Sequence, residues 1–142
     1  MSAPRPAATG RPLSFLAFDF GTQRVGVATG NSLLRLASPM TTIAAVGEAR
    51  FERIAALLAE WQPDALVVGV PFHPDGAAHD NTRRAQRFAR QLQGRFALPV
   101  HAVDERYSST EAIANNAGAA RVVDVDAASA AIILDQFLNP LP

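Results

Sequence analysis

The 142-residue chain contains no cysteine. Disulfide frameworks and thiolate metal sites are thereby excluded, so a bound metal has only oxygen and histidine ligands to draw on, which favours a hard cation. Lysine is missing too. All 13 basic residues are arginine, which suits bidentate phosphate contacts but is explained first by a genome poor in lysine codons. Neither sign of charge is in excess, because 13 Asp and Glu balance the arginines, and local clusters rather than net charge must point to any polyanionic partner. No apolar run approaches the roughly 18 residues that a membrane-spanning helix needs, so no membrane association is expected. The opening MSAPRPAATGRP lacks the hydrophobic segment of a signal peptide, from which a cytoplasmic location is expected. Internal repeats and linkers are absent as well. Length and composition suggest one domain over residues 13–139, preceded by a disordered tail over 1–12 that is rich in Pro, Ala and Gly.

What is present is a clear periodicity. Phe15 to Phe20 and Arg24 to Thr29 read as two strands joined by Gly21-Thr22-Gln23, and a third strand spans Leu34 to Thr42. Beyond Gly47 the pattern changes. Phe51, Ile54, Ala55 and Leu58 recur at i, i+3, i+4 and i+7, the mark of an amphipathic helix. Ala65 to Gly69 is a short apolar strand closed by the loop VPFHPDG. Residues 79–96 return to helical period with Ala85, Phe88, Ala89, Leu92 and Phe96 on the apolar face, and Pro99 to Val103 form a fifth strand. A short helix from about Ser109 and a longer one from about Asp126 to Leu138 complete the chain, before NPLP stops it. Strands first, then helix and strand in alternation, predict an α/β fold: a mixed five-stranded sheet with helices packed on it.

In open α/β sheets, ligands bind beyond the carboxyl ends of the parallel strands, so polar residues there carry the interest. Asp19 closes the first strand, Asp104 and Glu105 close the last, and Asp75 lies in the loop after the middle one. A carboxylate among Phe15, Leu16, Phe18 and Phe20 costs several kcal/mol unless something pairs with it. Gly21 lets the chain turn and leaves room beside Asp19, although Asp19 can equally serve as an acceptor for the N–H groups of its own turn. Strand alternation groups Glu105 with Val103 and His101, and Asp104 with Ala102 and Val100, so only one of the two acids faces Asp19. Ser108 or Ser109 reads as a helix cap, with Glu105 or Glu111 nearby. Arg83, Arg87 and Arg90 lie opposite the apolar face of their helix, in a segment with five arginines against Asp80; such a stripe is either a solvated face or a phosphate contact. His73, His79 and His101 lack the spacing of a zinc site.

DFGTQRVGVA, VVGVPFHPDG, RRAQRFARQL, VDERYSSTEA and VDAASAAIIL resemble, in that order, the successive motifs of the YqgF (RuvX) family, over about residues 15–138. Members of that family are named as Holliday-junction resolvases and as pre-16S rRNA nucleases. The resemblance implies a ribonuclease H-like fold and an acidic cluster that holds Mg²⁺ or Mn²⁺ for phosphodiester hydrolysis. Carried over residue by residue, it makes Asp19, Glu105 and Asp126 the catalytic, metal-binding acids. Arg24, Arg83, Arg84 and Arg106 are the candidate nucleic-acid contacts, and the implied partner is a structured RNA precursor or branched DNA. Departures from the usual family pattern fall at Gln23, Gly30-Asn31, His73-Pro74 and Ser108-Ser109. They bear on substrate contacts and leave the three acids in place.

Helical phase supports Asp126 separately. At roughly 100° per residue it lines up with Ala130, Ile133 and Phe137, whereas Asp135 falls on the opposite side and Asp124 either precedes the helix or, if helical, also points away from that stripe. A capping role is the structural alternative for Asp126. Two other functional classes remain open on sequence alone. One is a nucleic-acid-binding protein without catalysis; the other is an actin-like nucleotide-binding protein, because DFGT also looks like the phosphate-binding hairpin of actin-like ATPases and sugar kinases.

Overall fold

The computed structural model describes residues 12–72, 75–105 and 124–139. Residues 1–11 of the expected 1–12 tail, His73 and Pro74, Arg106, the Ser108-Ser109 cap with Glu111, the short helix from Ser109, and the last three residues lie outside the described residues.

Five strands form one sheet: β1 (Ser14–Phe20), β2 (Val25–Asn31), β3 (Ala37–Ile43), β4 (Ala65–Val70) and β5 (Val100–Asp104), in the order β3-β2-β1-β4-β5. The first three run antiparallel to one another in sequence order, while β1 pairs with β4, and β4 with β5, in parallel. The helices described are α1 (Gly47–Trp61), α2 (Asp80–Phe96) and α3 (Val125–Leu138). The expected mixed five-stranded sheet is therefore present, with strand ends within a few residues of those read from periodicity.

The alternation of β1 divides the core. Leu16 and Phe18 join Val25, Val27, Leu66 and Val68 on one face, where Phe51 and Ile54 of α1 and Phe88 and Leu92 of α2 cover them. The ring of Phe88 is the hub of that layer, 6.1 Å from Phe18, 5.2 Å from Phe20 and 6.0 Å from Phe51 between centroids. Phe15 and Ala17 face the other way with Ala28, Ala65 and Val67, against Ala130, Ile133 and Leu134 of α3. This second layer is made mostly of small residues, which lets α3 lie close to the sheet.

Two local expectations need correction. The third strand begins at Ala37 rather than Leu34, because Asn31 Oδ1 accepts from the backbone N–H groups of Leu33 and Leu34, and Arg35 takes a left-handed φ of 55°. These bonds wind residues 31–35 into a turn and leave Leu33, Leu34 and Leu36 exposed. On α1, Ala55 is exposed, and the buried stripe runs instead through Arg50, Phe51 and Ile54.

Candidate active site

Asp19 does not lie among phenylalanines. Phe18 packs into the α1 and α2 layer, and alternation sends Phe20 the same way, so Asp19 emerges on the α3 face near the carboxyl end of β1. Its register partners are Gly26 on β2 and Gly69 on β4. Both glycines are there for space. A Cβ on Gly26 would fall 1.8 Å from the carbonyl oxygen of Asp126, so the first turn of α3 touches the sheet backbone directly beside Asp19. A Cβ on Gly69 would meet Glu105 Oε2 at 2.7 Å and Ile133 Cδ1 at 2.4 Å. The room beside Asp19 thus comes from its two neighbours across the sheet, whereas Gly21 serves the turn itself, with Arg24 O 2.5 Å from where its Cβ would be.

Three segments far apart in sequence meet here. Glu105, not Asp104, is the acid on the Asp19 face: Val103 packs with the α3 layer, the His101 ring lies 5.0 Å from that of Phe137, and Glu105 continues the alternation. Burial pushes the Asp19 carboxyl up to about 6, with the Asp126 carboxylate adding to the rise and a hydrogen bond from the Ser129 side chain opposing it. Glu105 is pushed up to about 8, first by burial and then by the carboxylates of Asp19 and Asp104. Ser129, which periodicity and motif did not single out, stands three residues after Asp126 on the same face of α3. That i, i+3 relation is the signal in the sequence that points to it.

Asp126 is not the helix cap. Asp124 fills that position, its Oδ1 accepting from Ala127 N at 3.1 Å and from the Thr42 hydroxyl, so it fastens α3 to β3. Asp126, one residue into the helix, accepts a hydrogen bond from Arg24 Nε at 2.7 Å. Ala130 and Ile133, which share its stripe, are fully buried, and Phe137 meets Phe15 edge-on at 5.2 Å, as helical phase requires. Among the described residues, no three His, Cys, Asp or Glu side chains form a ready-made set around one ion. The donor chemistry nevertheless fits a hard divalent cation: every acid at the site offers carboxylate oxygens, and Asp19 interacts electrostatically with both Asp126 and Glu105.

The raised carboxyls set a pH dependence. A folded chain that binds protons more tightly than the unfolded one is most stable below the ordinary carboxyl range and loses stability as pH rises through the folded pKa values. The window runs from about 4 up to about 8. In chelator-treated protein the unfolding midpoint of wild type should therefore fall relative to Asp19→Asn as pH rises across that window, the two curves converging at its acid end. A constant offset in thermal scans from about pH 4 to about pH 8 would contradict it.

The arginines of α2 divide. Arg83 and Arg84 are exposed on the first turn of α2, where Thr82 donates to the Pro71 carbonyl just after β4, so they stand at the same end of the sheet as Asp19. Arg83 makes a long contact of 3.4 Å with Asp80, and Arg84 donates to Asn81 Oδ1 at 3.1 Å. Arg95, by contrast, is engaged in structure, paired through two nitrogens with Glu48 at 2.9 Å and lying 4.0 Å above the Phe51 ring. Asp75 Oδ1 accepts from Ala77 N at 2.9 Å, a local turn bond. His79, unsuited by spacing to a zinc site, is the N-cap of α2: its Nδ1 accepts from Asn81 N while its backbone N–H donates to the Thr82 hydroxyl oxygen.

Comparison with known proteins bears on the family and the fold. Residues 13–140, spanning every strand and helix described, match the family described as "RuvX: Holliday junction resolvase". A Polaromonas protein named "Putative pre-16S rRNA nuclease" is 65% identical over 129 residues, covering 91% of this chain and 90% of that one. A protein of the same name from Albidiferax ferrireducens is 65% identical over 128 residues, covering 90% of this chain and 79% of the relative. Among solved structures, Thermus thermophilus RuvC in complex with a Holliday junction substrate superposes with a TM-score of 0.55 at 16% identity, covering 89% of this chain and 93% of that one. That likeness concerns the fold, which is ribonuclease H-like. With the family match covering all the elements that build the acidic site, and relatives this similar over nine-tenths of its length, this chain belongs to the RuvX family.

Proposed function

We propose that this protein is a divalent-metal-dependent endonuclease of the cytoplasm that hydrolyses phosphodiesters in structured nucleic acid through Asp19, Glu105 and Asp126. The observation that carries the reading is the meeting of these three carboxylates at one end of the sheet, where burial and mutual repulsion raise the pKa of two of them. Such an arrangement opposes folding of the bare protein, which is characteristic of groups retained for function. These carboxylates would hold Mg²⁺ or Mn²⁺, which would supply positive charge for phosphodiester hydrolysis. Asp19 would be one of the ligands, held by the Ser129 hydrogen bond and given room by Gly26 and Gly69. Glu105 would give up its proton in binding such an ion, and Asp126 would add a carboxylate from the first turn of α3. The names of the 65% identical relatives favour a 16S rRNA precursor as substrate. A four-way DNA junction, suggested by the family description, is the second reading.

Side-by-side incubation of purified protein with a 5′-extended 16S rRNA precursor and a four-way DNA junction tests this. Cleavage of the RNA precursor with Mg²⁺ or Mn²⁺, and none with chelator, is expected. Cleavage of neither, or cleavage indifferent to chelator, would overturn the reading.

Arg83 and Arg84, at the same end of the sheet as Asp19, supply phosphate contacts. Replacing both by alanine should weaken nucleic-acid binding and make its salt dependence shallower, by roughly 0.7–0.9 in log–log slope for each phosphate no longer neutralised. Fluorescence anisotropy at several salt concentrations measures this. An unchanged slope would return the two arginines to an ordinary solvated helix face.

A further inference from the structure

Arg24 and Asp126 are 102 residues apart in sequence, yet Arg24 Nε stands 2.7 Å from Asp126 Oδ2. The pair joins a candidate nucleic-acid contact to a candidate metal ligand, and neither can take up its role fully while bound to the other. A carboxylate oxygen accepting from Nε–H has one lone pair fewer to offer a cation. A guanidinium turned onto a carboxylate is turned away from a phosphate.

The surroundings make this pair easy to exchange. The side chains are 61% and 30% exposed, so the attraction between them is well screened. A divalent ion at the same distance carries twice the charge of the guanidinium and attracts the carboxylate about twice as strongly. The backbone behind Arg24 is meanwhile held in place. Buried Arg50 donates to the carbonyls of Thr22 at 3.2 Å and Ala45 at 2.8 Å, pinning the β1–β2 turn, and Gly21 packs against the carbonyl of Arg24 itself. The Arg24 side chain, 61% exposed, is free of that restraint.

We propose that Arg24 is an exchangeable partner of Asp126: it holds that carboxylate in the metal-free protein, yields it to a divalent cation, and swings out to take a phosphate of the nucleic acid. This rests on the metal-binding reading of the acids. It deepens that reading, because Arg24 then couples the two binding events: metal binding frees the guanidinium, and by linkage nucleic acid that engages the guanidinium strengthens metal binding.

Two measurements on full-length protein test the exchange. In calorimetric titration with Mn²⁺, Arg24→Gln should bind at least about fivefold more tightly than wild type, because the competing cation is gone. Removal of a nearby positive charge would by itself move affinity in the same direction, so the second measurement watches the side chain. In ¹⁵N NMR of wild type, the Arg24 Nε–H resonance, assigned by its loss in Arg24→Lys, should leave its hydrogen-bonded position as Mg²⁺ is added to saturation. Equal or weaker Mn²⁺ binding by Arg24→Gln, or an Nε–H signal that stays in place at saturating Mg²⁺, would overturn the exchange while leaving the metal site intact. Absence of Mn²⁺ binding by both proteins would instead overturn the metal-binding reading, and the exchange with it.

Discussion

Asp19→Asn should reduce cleavage by about a thousandfold or more, since several kcal/mol of charge stabilisation depend on the cation and each 1.4 kcal/mol or so is tenfold in rate. The substitution changes one atom and almost no volume. Asparagine keeps an oxygen for the Ser129 hydroxyl and fits between Gly26 and Gly69, but it cannot carry the negative charge that a hard cation seeks. Loss of activity should therefore come without loss of fold. Above the raised pKa of about 6 the variant should even be the more stable of the two without metal, because the buried charge and its repulsion from Asp126 are gone. That pairing of outcomes is informative, because a purely structural aspartate would show the reverse: damaged stability with activity reduced only in proportion. Wild-type rates of cleavage by Asp19→Asn would remove this residue from the chemistry.

Gly26→Ala should have the largest effect on stability of any single methyl added to the sheet. The new Cβ would lie 1.8 Å from Asp126 O, 2.2 Å from Asp126 C and 2.9 Å from Ala127 N. All three are backbone atoms and none can rotate aside. Helix α3 must retreat, and with it Ala130, Ile133 and Leu134 lose their buried positions against Ala17, Ala28 and Val67. Overpacking commonly costs about 1–3 kcal/mol, and with a rigid neighbour about 3 kcal/mol or more is expected. That corresponds to a fall in Tm on the order of 10 °C. Gly69→Ala makes a useful contrast, since its Cβ meets the ends of two side chains, Ile133 and Glu105. Those ends can move, so a smaller loss of stability is expected together with a displaced Glu105 and reduced cleavage. Thermal denaturation and activity measured on both variants separate the two glycines. A Gly26→Ala protein as stable as wild type would contradict the close approach of α3 to β2.

The elements of this fold are readable in the sequence because hydrophobic periodicity is local. Phe88 and Leu92 on one helix face, and Leu16 and Phe18 against Phe15 and Ala17 on a strand, announce their faces within a few residues. The same alternation implies that Phe18 and Phe20 point away from Asp19, so the puzzle of a carboxylate among aromatic rings comes from treating neighbours in sequence as neighbours in space. The placement of Glu105 and Asp126 is open to the same reasoning, one by strand alternation from Val103 and the other by helical phase from Ala130 and Ile133. Register is another matter. That Asp19 stands between Gly26 and Gly69 depends on how three strands slide against one another, which no single segment encodes. Nor can the pairing of Arg24 with Asp126 be read from either residue, because it exists only once β2 and the start of α3 are brought together at Gly26. The turn at 31–35 escapes periodicity for a simpler reason: the side-chain oxygen of Asn31 outcompetes the strand pairing that the leucines suggest.

The central claim is that Asp126 belongs to a cation site and Asp124 to the architecture of the helix. Calorimetric titration of Mn²⁺ into wild type, Asp126→Asn and Asp124→Asn tests it most directly, because asparagine caps a helix about as well as aspartate and is a poor ligand for hard cations. Saturable binding by wild type and Asp124→Asn, with binding weakened about tenfold or more in a folded Asp126→Asn, is the predicted result. Wild-type affinity in Asp126→Asn, or loss of binding in Asp124→Asn instead, would contradict it.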